Sequence, residues 1–217
     1  MGSMIIKIVI CIVVPILLLG FVMEKRSRRV AIGVVSGCLM CLLAYYINPL
    51  LQGFFGFSDY YLTTSAAPFV EETLKFIPVF IFSLFIPKER KDILPVAFSV
   101  GVGFAIVENS FMLSQYAVSS TIAWMLVRGV GAGLMHAMST LIMGFGIHLA
   151  MQDKRIFVTG TLASLFLAMM YHGAYNAIIQ VPAIKFLGIL IPIISYAVLI
   201  FLQNKEQLKE FFSDDGE

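Results

Sequence analysis

Apolar residues in this chain run in long, nearly unbroken blocks, and polar residues collect in the short intervals between them. A block of about 20 residues is what a helix needs to cross the hydrocarbon of a bilayer. The blocks run from Ile5 to Met23, Val30 to Gln52, Ala66 to Ile86, Ile93 to Gln115, Thr121 to Met151, Ile156 to Val181 and Phe186 to Gln203. Between them lie Glu24-Lys25-Arg26-Ser27-Arg28-Arg29, an aromatic loop from Phe54 to Thr64, Pro87-Lys88-Glu89-Arg90-Lys91-Asp92 and Gln152-Asp153-Lys154-Arg155, with a short polar tail from Asn204 to Glu217. The pattern predicts an all-α polytopic membrane helix bundle, with about seven transmembrane helices in a single integral membrane domain over residues 1–217. The first block has no small-residue cleavage site and reads as an uncleaved helix.

Composition removes the alternatives. Hydrophobic residues make up 59% of the chain and charged residues 13%, too apolar for one soluble core and too apolar to stay disordered. The net charge of +2 and the short, separated basic clusters exclude a nucleic-acid binder. Cys11, Cys38 and Cys41 all lie in apolar stretches and read as small buried hydrophobes. Most of the 15 Lys and Arg fall after the first, third and fifth blocks and in the tail. The positive-inside rule then puts the N-terminus outside and the C-terminus in the cytoplasm.

A few ionisable groups lie inside the blocks, where each costs at least about 2.5–3.5 kcal/mol and marks a functional site by default. They are Glu71, Glu72 and Lys75 in the third block, Glu108 beside Asn109 in the fourth, Arg128 and His136 in the fifth, and His172 with Asn176 in the sixth. Counted from the outer ends at a rise of about 1.5 Å per residue, the acids and histidines sit roughly 8–13 Å deep. The fifth block is too long for the hydrocarbon, so Arg128 is expected at the outer interface. All these groups should therefore converge in the outer half of the membrane. Adjacent glutamates point about 100° apart on a helix, so one of Glu71 and Glu72 is expected to do chemistry and the other to pair with Lys75 or Arg128. His148 lies near the cytoplasmic end and reads as interfacial.

Such a set can activate water by general-base catalysis, hold a divalent metal, or relay protons and ions. An HExxH pair, a mid-span aspartyl dyad and a GxSG-type serine are all absent from the sequence. An ion or proton transporter, or a peptide-sensing membrane protein without peptidase activity, is the alternative to a hydrolase.

The ordered motifs Glu71-Glu72-Thr-Leu-Lys75, Gly103-Phe104-Ala-Ile-Val-Glu108-Asn109, Arg128 with His136, and His172-Gly-Ala-Tyr-Asn176 resemble those of the PrsW family. Its members are bacterial membrane proteases that make the first cut in an anti-sigma factor. The family is distantly similar to the CAAX prenyl endopeptidases and bacteriocin-processing proteases. Two departures from that wider group stand out: the Phe104-xxx motif ends in Glu108 rather than histidine, and the basic residue is Lys75 rather than arginine.

The resemblance implies a four-helix catalytic core over residues 66–180. It implies that Glu71 and Glu72 include the base or a metal ligand, and that Glu108, His136 and His172 complete the site. Asn176 would be an oxyanion donor, and Lys75, Asn109 and Arg128 would support the site. A divalent metal, zinc foremost, would sit on Glu72, His136 and His172. The implied partners are membrane lipid and a single-pass membrane protein or peptide substrate, in a bacterial cytoplasmic membrane.

Overall fold

The computed structural model describes residues 25–85, 90–116 and 127–201, and all statements about structure refer to these. The first predicted span, Ile5 to Met23, lies outside them, as do Cys11, Trp124, the start of the fifth block and the tail from Asn204. The described residues are helical, without a β-strand. The long helices are α1 (Lys25–Phe55), α2 (Ala67–Phe85), α3 (Arg90–Tyr116), α4 (Gly133–Ala150) and α5 (Phe157–Ile179). A shorter apolar helix, α6 (Lys185–Phe201), follows.

α1 begins earlier than the apolar pattern suggests, because Lys25 to Arg29 join the helix; Lys and Arg are good helix formers once a turn is nucleated beside them. It ends at Gly56, whose φ of +66° is open to glycine and costly for other residues. Ser58 caps a single turn at Asp59–Tyr61 through its Oγ, 3.2 Å from Tyr61 N. A wide π-type turn, Leu62–Ala66, then runs directly into α2. A second wide turn, Val127–Ala132, leads into α4. Such turns carry one extra residue, and they concentrate near functional sites.

By length and composition, four stretches can cross a membrane: Ser27–Phe55, Lys91–Gln115, Arg128–Ala150 and Phe157–Ile179. α2 is also apolar over its 19 residues but carries Glu71, Glu72 and Lys75. α1 packs along α3, α3 along α4 and α4 along α5, while α2 touches all four. The helix bearing the acid pair is therefore the central one.

Small residues permit this close assembly. A β-carbon on Gly37 of α1 would collide with Val100 O of α3, and one on Gly101 of α3 would collide with His136 O of α4. Burial runs opposite to that of a soluble protein. Glu72, Lys75, His136, Ser139, Thr140 and His172 are buried, while Phe69, Ile81, Phe166 and Met170 face outward. A bilayer rewards that arrangement, since lipid solvates apolar side chains and cannot solvate charges.

Candidate active site

α2 presents Glu71, Glu72 and Lys75 to the middle of the bundle, all buried. Lys75 Nζ lies 2.5 Å from Glu72 Oε1, 3.1 Å from His136 Nδ1 and 3.5 Å from Ser139 Oγ. It also sits 4.6 Å from the centre of the Phe104 ring, a cation–π contact that replaces part of the lost hydration. An ammonium has hydrogens to give and no acceptor. His136 Nδ1 must therefore accept, which leaves the ring proton on Nε2. That nitrogen lies 2.5 Å from Glu108 Oε2, to which it donates.

Glu108 is held from its other side by Arg128, whose Nη2 is 3.0 Å from Oε1 as an ion pair without hydrogen-bond alignment. Arg128 belongs to the wide turn before α4, and Asn109 Nδ2 secures that turn by donating to Arg128 O over 3.2 Å. α3 thus contributes both the acid and the brace for its arginine.

The acid pair divides its duties. Glu72 Oε1 accepts from Lys75, from Ser139 Oγ at 3.2 Å and from His172 Nδ1 at 2.7 Å. Because a carboxylate cannot donate, the His172 proton sits on Nδ1 and its Nε2 carries a lone pair. Nε2 faces Glu71 Oε2 at 3.9 Å, too far for a hydrogen bond. Glu71 Oε1 takes one bond from Asn48 Nδ2 at 3.2 Å, while Oε2 is buried and unpartnered. The two histidine rings stand edge to face with centroids 4.9 Å apart.

Two buried lone-pair acceptors facing each other at this distance suit a cation or a water between them. Glu71, His136 and His172 each offer one ligand atom, all within 4.8 Å of one another. In a tetrahedral site with bonds of about 2.0–2.1 Å, ligand atoms lie about 3.3–3.4 Å apart. Glu71 Oε2 and His172 Nε2 are close to that spacing as they stand. His136 would exchange its Nε2 proton and step back from Glu108. The cluster also holds three carboxylates against one lysine and one arginine, a net negative charge that favours a cation over an anion. Glu72 orienting His172 through Nδ1 is the arrangement that supports a histidine ligand in metal centres. The residues fit a divalent cation.

The structure brings Glu71, Glu72, Lys75, Glu108, Arg128, His136 and His172 into one linked cluster, from four helices and a turn, as the depth arithmetic expects. It groups Glu71 rather than Glu72 with the two histidines, since Glu72 is already occupied by Lys75, Ser139 and His172 Nδ1. Asn176 Nδ2 donates to Thr63 O at 2.9 Å and Gln180 Nε2 to Thr63 Oγ1 at 2.7 Å. Both pin the wide turn before α2 against α5. His148 pairs with Gln152 at the far end of α4, 3.0 Å away and outside the cluster.

The sequence reading gave no site role to Asn48 or to Ser139, which lacks the context of a GxSG-type nucleophile. Asn48 sits beside Pro49 near the end of an apolar block, where a polar residue reads as a boundary. Ser139 follows His136 at i+3, a spacing that places it on the histidine's face and could have drawn attention to it.

A family model described as the PrsW family of intramembrane metalloproteases matches residues 25–203. Protease PrsW of Halalkalibacterium halodurans is 25% identical over 150 residues, covering 68% of this chain and 63% of that protein. The match therefore spans less than two thirds of that relative's length. No solved structure matches. The family match contains every member of the buried cluster, and the chain belongs to the PrsW family of intramembrane metalloproteases.

Proposed function

We propose that this chain is an intramembrane endopeptidase whose reaction centre is the buried cluster on α2, α3, α4 and α5. The observation that carries the reading is the meeting of Glu71, His136 and His172 within 4.8 Å, in a chain of this family. Residues 66–180 act as the catalytic core within one integral membrane domain. Seven crossings, with the N-terminus outside and the C-terminus in the cytoplasm, would put the cluster in the outer half of a bacterial cytoplasmic membrane. The favoured substrate is a single-pass membrane protein, cut near its extracytoplasmic side in a first, site-1 type step; an anti-sigma factor has that form.

Glu71, His136 and His172 would hold a divalent ion, zinc being the best match to two imidazoles and a carboxylate. Such an ion, when bound, supplies a water acidified to near neutrality. With a Glu71 oxygen assigned to the ion, Glu72 Oε2, buried and without a hydrogen-bond partner, is the carboxylate oxygen left to take a proton from the attacking water. Glu72 holds His172 in the tautomer that leaves its Nε2 free to ligate, while Glu108, backed by Arg128, is the acceptor that His136 Nε2 would leave on ligating the ion. Asn109 and Asn176 position the two wide turns that flank the cluster.

The test is reconstitution of the full chain in liposomes with a panel of single-pass bacterial membrane proteins, and mapping of products by mass spectrometry. The reading expects a cut near the extracytoplasmic end of at least one transmembrane segment, absent with Glu71→Gln. No cut in any member, or cutting that survives Glu71→Gln, Glu72→Gln, His136→Ala and His172→Ala alike, would overturn it.

A further inference from the structure

Buried polar atoms without a partner are rare in folded proteins, and each calls for an explanation such as a catalytic role or a bound water or ion. In this cluster they sort by kind. Against α1 and α2 they are acceptors: Asn48 Oδ1, Glu71 Oε2 and Glu72 Oε2. Beside the turn before α4 they include Arg128 Nε and the hydroxyl of Tyr175, together with one acceptor, Asn109 Oδ1. Glu108 stands between the two sides, paired to Arg128 on one oxygen and to His136 on the other.

Peptide hydrolysis needs both kinds. Acceptors hold the water and take its proton, while donors hold the carbonyl oxygen as it gains negative charge. We infer that the Tyr175 hydroxyl, next to the Arg128 side of the cluster, is the donor to the scissile carbonyl oxygen. The inference rests on the proteolytic reading above and adds the substrate-facing half of the site.

Tyr175 has the placement for it. It is wholly buried against Ala132 and Met135 and lies one turn after His172 on α5. Its hydroxyl abuts the wide turn, where a β-carbon added at Gly131 would come within 2.8 Å of Oη. Gly131 precedes His136 by five residues, or roughly 7 Å along the axis. Helical side chains lean towards the N-terminus, so the His136 ring reaches back towards this turn. β-carbons at the flanking Gly129 and Gly133 would meet nothing within 4 Å, so there is open space on both sides of this point of the turn. Asn176, the amide that the family resemblance would nominate for this role, has its Nδ2 committed to Thr63 O.

In the step itself, the water oxygen bonds to the carbonyl carbon and its proton passes to Glu72 Oε2, the unpartnered oxygen of the acid that is not a ligand. The carbonyl π pair moves to oxygen, which accepts the Tyr175 hydrogen bond while the phenol keeps its proton. Collapse re-forms the carbonyl and breaks the C–N bond, and the leaving nitrogen takes the proton from Glu72.

Tyr175→Phe removes the oxygen and keeps the ring. The full chain and this variant are compared in liposomes on the best-cleaved member of the single-pass panel, with thermal unfolding measured alongside. Loss of one oxyanion donor lowers kcat by about 100-fold. KM should change by less than about threefold, since the bond strengthens in the transition state. With an unpartnered hydroxyl removed, the melting temperature should hold or rise by about 2–4 °C. A kcat within about threefold of wild type, on the same scale of effects, overturns the assignment. So does a fall in melting temperature beyond about 4 °C, which would show that the hydroxyl has a structural partner. A wild-type chain that cuts nothing in the panel sinks the proteolytic reading, whereas wild-type cutting matched by Tyr175→Phe sinks only the role of Tyr175.

Discussion

Lys75→Met is the perturbation that probes the cluster most sharply. The side chain it replaces is fully buried and lies 2.5 Å from Glu72 Oε1 and 3.1 Å from His136 Nδ1. Methionine fills a similar volume, so little of the effect is packing. What remains is an uncompensated carboxylate in an apolar interior, and breaking a buried pair in this way costs about 3–5 kcal/mol. For a chain of this size each kcal/mol moves the melting temperature by about 2–4 °C, so the variant should melt roughly 6–20 °C lower. The same change leaves His136 Nδ1 without its donor and frees the ring to change tautomer, so cleavage should fall as well. Neutralising the stranded acid in Lys75→Met/Glu72→Gln should recover at least half of the lost stability, because the two effects are coupled through one contact. The assay is thermal unfolding of purified protein in detergent, read by intrinsic fluorescence. A single variant melting within about 2 °C of wild type, less than the shift of one kcal/mol, would show that Glu72 does not depend on Lys75 for its charge balance. A double variant less stable than the single one would do the same.

Other consequences can be checked in the same preparations. Asn48→Ala removes the hydrogen bond seen on Glu71 Oε1 and should lower activity or metal affinity by about 10–100-fold, as loss of a ligand's supporting partner does; titration with zinc would measure it. Gly101→Val forces a side chain against His136 O and Ala137 Cα, so it should destabilise by about 1–3 kcal/mol and reduce cleavage more than a comparable change far from His136. Asp92→Asn removes the 2.8 Å pair with Arg29 at the other end of the bundle, and being a partly exposed ion pair it should cost no more than about 1 kcal/mol and leave cleavage unchanged.

The sequence carried the helices and the composition of the cluster further than it carried the partners. Apolar blocks named α1 to α6 because a bilayer demands long runs, and in α3 the limits agree to within a few residues. The two wide turns were not readable, since one extra residue in Leu62–Ala66 or Val127–Ala132 leaves no mark in composition or period. The excess length of the fifth block was the one trace of the second turn, and the first left none. Convergence of Glu71, Glu72, Glu108, His136 and His172 was legible because charge inside a membrane has few places to go. The division of labour between the acids was half legible: helical phase required Glu71 and Glu72 to differ, and the Lys75 spacing allowed either to pair with it. Which one does is decided by packing of α2 against α4 and α5, where Ser139 and His172 both reach Glu72. The bond from Asn176 to Thr63 joins residues 113 positions apart, and no local pattern announces it.

The central claim is that Glu71, His136 and His172 form one metal-holding peptidase centre. Its most direct test is elemental analysis of the purified full chain and of Glu71→Ala, His136→Ala and His172→Ala, with melting temperature recorded for each. About one divalent ion is expected per wild-type chain, as in other three-ligand protein sites, with loss of that ion from folded variants together with their cleavage activity. Wild-type protein that cleaves its substrate while metal-free, or variants that keep both metal and activity, would contradict it.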